Sequence, residues 1–445
     1  MNENFIDNVK TAIAVMKKCR VKGDVFGSIQ NTLIHEFEKG ELSSSSQTEE
    51  MGLAIRVVQE GRVGFGYCVP GNETCGVNRA IELASLSPVC DVELPHPQKA
   101  ISVPVCDSNI ICEIADGTGT DFLNALHEGV SAVKNDIALA HGELILGTHY
   151  RVVANTEGVL TDEDSTILSC GVHTSIPGTS LRAREIRSSR KLDIDFEEVG
   201  RTAGGKVHHM RKKWGSDQLH YPVILSPHVI APLLWFTTIP ALMGEQVRTG
   251  QSIFEGICGQ QVASEEVTII DDPTRPWGLG SGSFDDEGVV SSRLPLIVKG
   301  ILKGFLYDLK DGAKSEKKST GNGVRTSFRV PPQTKDRNIM LEGGKYKKDE
   351  LFEGTKIYVD KAMGIHTANP ISGDFSVAAA PALVIKQGEN KGRVDTVMLS
   401  GNFPHLLHTM RLGTDYQGIY FSMGSRKIFS MEVPSGLSEH ITVTM

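Results

Sequence analysis

Three kinds of side chain in this sequence are arranged as if for chemistry: histidines close enough to share a metal, a run of carboxylates, and glycine-bearing polar loops. The close histidine candidates are His127-Glu128, His208-His209 and the pair His405/His408. A His-Glu dipeptide opens a zinc-protease helix only where a second histidine follows on the same face, three to five residues on. Positions 130 to 132 are Val130, Ser131 and Ala132, so His127-Glu128 reads as a polar pair on an amphipathic helix. Adjacent histidines point in different directions, which argues against chelation by His208-His209. His405 and His408 have a spacing that suits a metal if helical, but no Cys, Asp or Glu lies close by as third ligand. Packing or capping is the expected role of that pair.

Gly278-Leu279-Gly280-Ser281-Gly282 has neither the Gly-Lys-Ser/Thr ending nor the strand and helix that make a phosphate cradle, and is expected to be a flexible turn. No Gly-x-Ser-x-Gly nucleophile motif occurs. Asp285-Asp286-Glu287 is the densest carboxylate cluster among order-forming residues. Neighbours on an extended chain face opposite sides, so at most two of these acids converge. A structural role, accepting backbone or arginine hydrogen bonds, is expected of them. The loop Lys318 to Gly323, followed by Arg325, is either an ordinary turn or a site for a peptide backbone or carboxylate.

The elements that position these groups follow from periodicity. A helix is expected from about Asn4 to Lys18, with Phe5, Val9, Ile13 and Met16 on one face. Ser43 to Ser46 reads as an exposed loop. Gly52–Gln59 and Arg62–Cys68 read as strands joined at Glu60-Gly61. Helices follow at about Cys75–Leu86 and Asp121–Asp136, then strands near Leu144–Leu146 and Tyr150–Ala154. The charged stretch Thr179–Arg201 is broken by Gly204-Gly205, and a domain boundary is placed there. In the second half, Val223–Leu225 reads as a strand closed by Ser226-Pro227. Apolar residues from Val229 to Ile239 then fall at helical spacing. Pro232 suits a first helical turn and Pro240 a kink or an end. Leu294–Asp308 reads as a hairpin turning at Lys299-Gly300. Ala382–Ile385 with Val394–Leu399 reads as another hairpin, Lys310–Lys318 as a charged loop and His440–Thr444 as a terminal strand. The fold class is α+β in two domains, a mixed N-terminal one (1–204) and a strand-rich C-terminal one (205–445).

The totals agree with two domains: 445 residues exceed one ordinary core. The formal net charge of -8 gives no attraction to nucleic acid or anionic membrane. No apolar run is long enough for a bilayer, and the first residues carry acids where a signal peptide carries bases, so a cytoplasmic location is expected. The eight cysteines show no CxxC spacing and are expected to be reduced.

Several segments of the second half resemble, in order and spacing, the TldD/TldE (PmbA) family, also named modulators of DNA gyrase. They are YPVILSP, GQQVASEEVTIIDD, SFDDEGV, KGILKGFLYD, STGNGVR, ISGDFS and LSGN. The match is looser before about residue 205, where VVANTEGVL carries it. The resemblance implies a cytosolic two-domain protein that works in peptide cleavage. TldD-type members are metallopeptidases with a His-Glu-x-x-x-His helix, placed after the strand matched here by Tyr221–Pro227, and a cysteine ligand near the C-terminus. TldE-type members lack these ligands, and the two types pair around a buried peptide channel. Counting back from GQQVASE, Trp235, Phe236 and Pro240 stand where His, Glu and His would be, and no cysteine follows Cys258. None of the three side chains ligates zinc, whereas a catalytic zinc takes about three protein ligands.

The chain therefore resembles the TldE side. A non-catalytic subunit without a cofactor of its own is implied, with zinc in a TldD-like partner. The assembly would be that heterodimer or a homodimer, and the substrate a peptide. Asp286, Asn322 and Arg325 are the first candidates for peptide contact, and the aromatic helix is expected to support a core or an interface. Two alternatives are an enzyme active alone through His127, His405 or His408, and a non-proteolytic regulatory protein acting on gyrase or another target.

Overall fold

The computed structural model describes residues 2–99, 101–117, 119–215, 219–423 and 426–444. The chain opens with helix α1 (Asn2–Lys18) and a long antiparallel hairpin, β1 (Lys22–Glu38) and β2 (Glu41–Gln59), followed by β3 (Arg62–Cys68) and α2 (Glu73–Leu86). Helices α3 (Ser108–Asp116) and α4 (Thr120–Val133) lead into β4 (Ala138–Asn155), β5 (Leu160–Ser175), β6 (Arg182–Ser189) and α5 (Phe196–His209). The six strands form one antiparallel sheet in the order β3-β2-β1-β4-β5-β6.

Alternation decides which face goes where. Val25, Ile29, Leu33 and Phe37 of β1, with Leu144, Leu146, Tyr150 and Val152 of β4, point to one face and are buried under the helices in two clusters. Phe26, Ala54 and Val153 point the other way and pack on Phe284 and Phe328 of the C-terminal half.

Several expectations are corrected. Ser43–Ser46 is not a loop but lies inside β2, because β1 supplies a ladder partner for every residue from Ser44 to Ser46. Gly204-Gly205 does not break the chain; α5 runs through both to His209. Helix glycines cost about 1 kcal/mol each, and here they permit a close crossing. A Cβ at Gly129 or Gly200 would collide with the backbone of the facing helix, α5 or α4. The division proposed near residue 205 thus falls within a helix. Lys206, in that helix's last turn, holds both Glu185 of β6 (2.8 Å) and Asp360 of the C-terminal half (2.7 Å). Ala382–Lys386 pairs with Glu389–Val394, whereas Val397–Asn402 joins a different sheet. Within the expected charged loop, Leu309–Lys314 is a short helix capped by Asp308.

Beyond α5 come β7 (Val223–Leu225) and helix α6 (Pro227–Ala241). β7 is an interior strand of a mixed six-stranded sheet, parallel to Thr355–Val359 and antiparallel to Gly436–Ser438. A second six-stranded sheet and two smaller ones complete this half, and one large apolar core joins them to α6. The protein is a mixed α+β structure, as expected. No helix among the described residues is long and apolar enough to cross a membrane. All eight cysteines are free.

The two halves are joined by buried charges on the segment Phe284–Glu287. Arg56 of β2 donates through Nε to Asp24 (2.6 Å) and through Nη1 to Glu287, and all three are buried. Arg151 of β4 donates to Asp286 (3.0 Å), Glu163 (2.6 Å) and the Phe284 carbonyl (2.8 Å). Asp285 accepts from the backbone N–H groups of Glu287, Val289 and Gly323. Burial, and then the charge of Glu287, push the carboxyls of Asp285 and Asp308 up to about 7.

Removing one member of a buried pair strands the other. Arg56→Met is expected to lower the urea-unfolding free energy by about 3–5 kcal/mol. Arg79→Met, which breaks the exposed pair with Glu82, is expected to cost less than about 1 kcal/mol. Equal losses for the two would contradict this account.

A second expectation concerns pH. A carboxyl whose pKa is raised in the fold holds a proton that the unfolded chain has released. Its stabilising contribution is therefore full below the ordinary value of 3.8 and is lost as pH rises through about 7. Burial lowers His149, His173 and His228 to about 4, and their opposing effect fades only as the unfolded imidazoles finish titrating above 6.5. The comparison is therefore made with Asp308→Asn, which keeps the helix cap and shares the histidines. Between about pH 6.5 and 8 the parent should lose on the order of 1 kcal/mol more than this variant. Identical dependence of Tm on pH in the two would refute the assignment.

Candidate functional site

Helix α6 is organised by burial. Val229, Ile230, Leu233, Leu234, Thr237, Thr238 and Ile239 are buried in the large core. A second stripe, His228, Pro232, Trp235, Phe236, Pro240 and Met243, is only half-buried. The helix starts at Pro227, so Pro232 lies past its first turn, contrary to expectation, while Pro240 stands at its end. The three positions matched to metal ligands, Trp235, Phe236 and Pro240, all fall on the half-buried stripe.

What they present is an aromatic surface. Trp235 meets Phe236 edge-on at 4.7 Å between ring centroids and Phe429 at 5.4 Å, and Phe429 stacks on the exposed Phe421 at 5.7 Å. Trp235 Nε1 donates to Asp336 Oδ1 at 3.1 Å. The donor set does not fit a zinc ion: an indole N–H already given to a carboxylate, a phenyl ring and a proline offer no lone pair. No group of three His, Cys, Asp or Glu side chains suited to a metal occurs among the described residues.

Asp336 is also the link from this helix to a cavity of about 200 Å³. Its other wall is the face of the N-terminal sheet turned away from the helices, with Gln30 and Thr32 of β1, His149 and Arg151 of β4, and Glu163, Ser165 and Ile167 of β5. The C-terminal half contributes Leu279–Ser281, Asp285-Asp286, Val324–Thr326, Lys335–Arg337 and Tyr420.

The cavity is polar and rigidly wired. Arg190 donates to the carbonyls of Gly278, Thr166, Leu279 and Ser281 at 2.7 to 3.4 Å. Burial lowers its guanidinium to about 10, and it stays charged at neutral pH. The glycine-rich segment expected to be flexible is thus pinned by an arginine. Arg337 ties the Phe284 carbonyl (3.0 Å) to Ser291 (2.6 Å). His149 shares a hydrogen bond with Ser28 (2.9 Å), and burial followed by the Arg151 charge keeps it neutral.

The candidate peptide residues divide. Asp286 lines the cavity, but its oxygens already accept from Arg151 and from the Arg325 backbone N–H. Arg325 also lines it, with its guanidinium 5.6 and 5.7 Å from the rings of Phe26 and Phe65 and hydrogen-bonded to the Val330 carbonyl. Asn322 is buried outside the lining. Its amide donates to Asp271 (2.6 Å) and the Lys335 carbonyl (2.9 Å), and its oxygen accepts from Thr320, so it holds the fold.

The histidines set aside earlier are dispersed. His127 bonds the Gly40 carbonyl at the tip of the β1–β2 hairpin (2.9 Å). His405 and His408 have ring centroids 6.2 Å apart beside a helix capped by Asn402. His208 and His209 end α5. Arg151, Arg190, Arg337, Glu163 and His149 escape a reading of the sequence because they come from separate strands and loops far apart in the chain; topology alone assembles them.

The comparisons with known proteins agree with this layout. The PmbA/TldA metallopeptidase C-terminal domain matches residues 218–445, and domain 1 of the same family matches residues 23–86. A metalloprotease TldD homolog from Buchnera aphidicola is 31% identical, covering 99% of this chain and 95% of that one. A metalloprotease from Methanothermobacter thermautotrophicus is 26% identical over 86% of each chain. Among solved structures, TldE from Thermococcus kodakarensis superposes with a TM-score of 0.88 at 23% identity, covering 98% of this chain and all (100%) of that one. A Thermotoga maritima protein described as a modulator of a DNA gyrase gives 0.85 at 22% identity, covering 99% of this chain and 100% of that one. These two likenesses establish a common fold. By the domain match over its C-terminal half and the near full-length relative, this chain belongs to the PmbA/TldD metallopeptidase family.

Proposed function

We propose that this chain is a non-catalytic, metal-free subunit of a peptidase complex, working in the cytoplasm on peptides or unfolded segments. Zinc and bond cleavage belong to a TldD-like partner chain. This chain shapes the substrate chamber and holds an extended peptide. The observation that carries the reading is the stripe Trp235, Phe236 and Pro240. It stays half-buried and borders the cavity through Asp336, yet offers a metal nothing to bind. A helix that has exchanged ligands for aromatic rings can still present a surface, and aromatic rings stabilise contacts with extended chains and with partner subunits. The likeness to the TldE fold supports the same reading. In this proposal Asp286 and Arg325 set the polarity of the cavity wall, and the side chains around them touch the peptide.

The test compares this chain alone, a TldD-type chain alone and the mixture, measuring bound zinc by mass spectrometry and the cleavage of an unfolded peptide. The expected result is no stoichiometric zinc and no cleavage for this chain alone, with chelator-sensitive cleavage in the mixture that depends on both. Stoichiometric zinc and chelator-sensitive cleavage by this chain alone would overturn the proposal.

A further inference from the structure

β2 is longer than the strand beside it. β3 pairs with Leu53–Gln59 only, whereas β1 accompanies β2 from Glu41 to Val58. Residues 41–52 therefore have β1 on one side and no strand on the other among the described residues. The inner end of this stretch is covered: the Phe328 ring lies where a Cβ at Gly52 would be, and Arg329 pairs with Glu50. What is left is Glu41 to Glu49, nine consecutive exposed residues, an open edge about 30 Å long. The side chains of Ser43, Ser44 and Gln47 turn back to hydrogen-bond Glu36 and Asn31 of β1.

Exposed edges are usually blunted by lysine, proline or a bulge. No Lys, Arg or Pro occurs between Leu42 and Glu50, and the one irregularity of this hairpin skips Ser43, close to the turn, so that Ser44 to Glu50 stay in unbroken register with β1. The hairpin from 36 to 50 carries Glu36, Glu38, Glu41, Glu49 and Glu50 against the single base Lys39.

Two features select the occupant. The run Ser43 to Thr48 is wholly polar, unlike a permanent subunit interface, which resembles a core cut in half. Antiparallel pairing of the edge with its own copy about the serines would set Glu41 against Glu49 or Glu50, and like charges facing each other destabilise a sheet. We propose that this edge takes up an extended peptide bearing lysine or arginine as an added strand. Main-chain hydrogen bonds give sequence-tolerant affinity, and the glutamates at both ends favour positive charge. The inference rests on the peptide-handling reading and adds a docking place and a charge preference to it. Gln30 and Thr32, opposite Glu50 and Thr48 across the ladder, line the cavity. An added strand therefore lies about 10 Å from the cavity wall, two strand spacings away.

The experiment uses the full chain and a fluorescein-labelled dodecapeptide of alternating lysine and threonine, with its glutamate-for-lysine counterpart as control, followed by fluorescence anisotropy. The parent should bind the basic peptide and not the acidic one. Successive strand residues direct their N–H groups to opposite sides, so of Ser44→Pro and Ser45→Pro one strikes the open side and the other the β1 ladder. The open-side variant should keep the parent's Tm and bind about tenfold more weakly or worse. The double variant Glu41→Lys, Glu49→Lys should reverse the preference between the two peptides. The proposal falls if both proline variants and the charge-reversed variant bind the basic peptide like the parent. It falls equally if sedimentation shows a parent dimer that the open-side proline disperses, which would assign the edge to a second copy. Since binding is measured without cleavage, loss of this proposal leaves the subunit reading to stand or fall on the mixing experiment.

Discussion

The structure depends on a small number of charges placed where water cannot reach them. Arg56 binds two carboxylates at once, Asp24 from its own sheet and Glu287 from the other half, and the three are almost fully buried. Such a group is expensive to desolvate and gains only if every partner is in place. It therefore acts less as glue than as a condition on geometry: the halves meet in the one arrangement that pairs Asp24, Arg56 and Glu287, and Arg151 with Asp286 and Glu163. Phe284, just before these acids, seats in the apolar cluster with Phe26 and Val153 and supplies the burial that the charges do not.

The cavity inherits its shape from that condition. Its walls come from segments far apart in sequence, and Arg151, one of the two arginines that fix the junction, lines it. A rigid, highly hydrogen-bonded wall suits recognition by shape and backbone better than chemistry. Its neutral His149 shares a hydrogen bond with Ser28 through Nε2, and its carboxylates Asp286 and Glu163 are paired with Arg151. The chemical silence of α6 follows a similar logic. Trp235 and Phe236 offer ring contacts, to each other and from Trp235 to Phe429, in place of lone pairs.

How much of this was legible in the residues depends on whether the signal is local. The helix at Val229–Ile239 and the strand before it are local patterns, and so is the capping role of Asp285-Asp286-Glu287, since acids beside a glycine turn accept backbone N–H groups. That Trp235, Phe236 and Pro240 stand at the family's ligand positions is an expectation from the resemblance alone, because nothing in three apolar residues announces a metal site. The serines at 43–46 misled because a polar run with low strand propensity was carried into a strand by the ladder that β1 provides. Gly204-Gly205 misled for a related reason: the packing of α5 carries the helix through both, with Gly204 against Val133 of α4 and Gly205 facing open space. Arg151 and Arg190 carried no local signal at all, since their partners lie at Asp286 and at residues 278–281.

These cases point to one physical distinction between the two faces of the N-terminal sheet. The helix-covered face has a strict apolar alternation and is fixed by burial alone. The opposite face mixes Thr32, Ser165, Ile167 and His149 with arginines and is held only where the C-terminal half reaches it. A sheet with one satisfied face and one partly open face, ending in a strand edge that from Glu41 to Glu49 pairs with no further strand among the described residues, has unspent backbone hydrogen-bonding capacity near a cavity. An apolar ligand would gain little there, whereas an extended chain brings both the missing donors and the missing acceptors. The open edge and the cavity wall thus belong to one sheet, linked through the ladder that pairs Gln30 with Glu50 and Thr32 with Thr48.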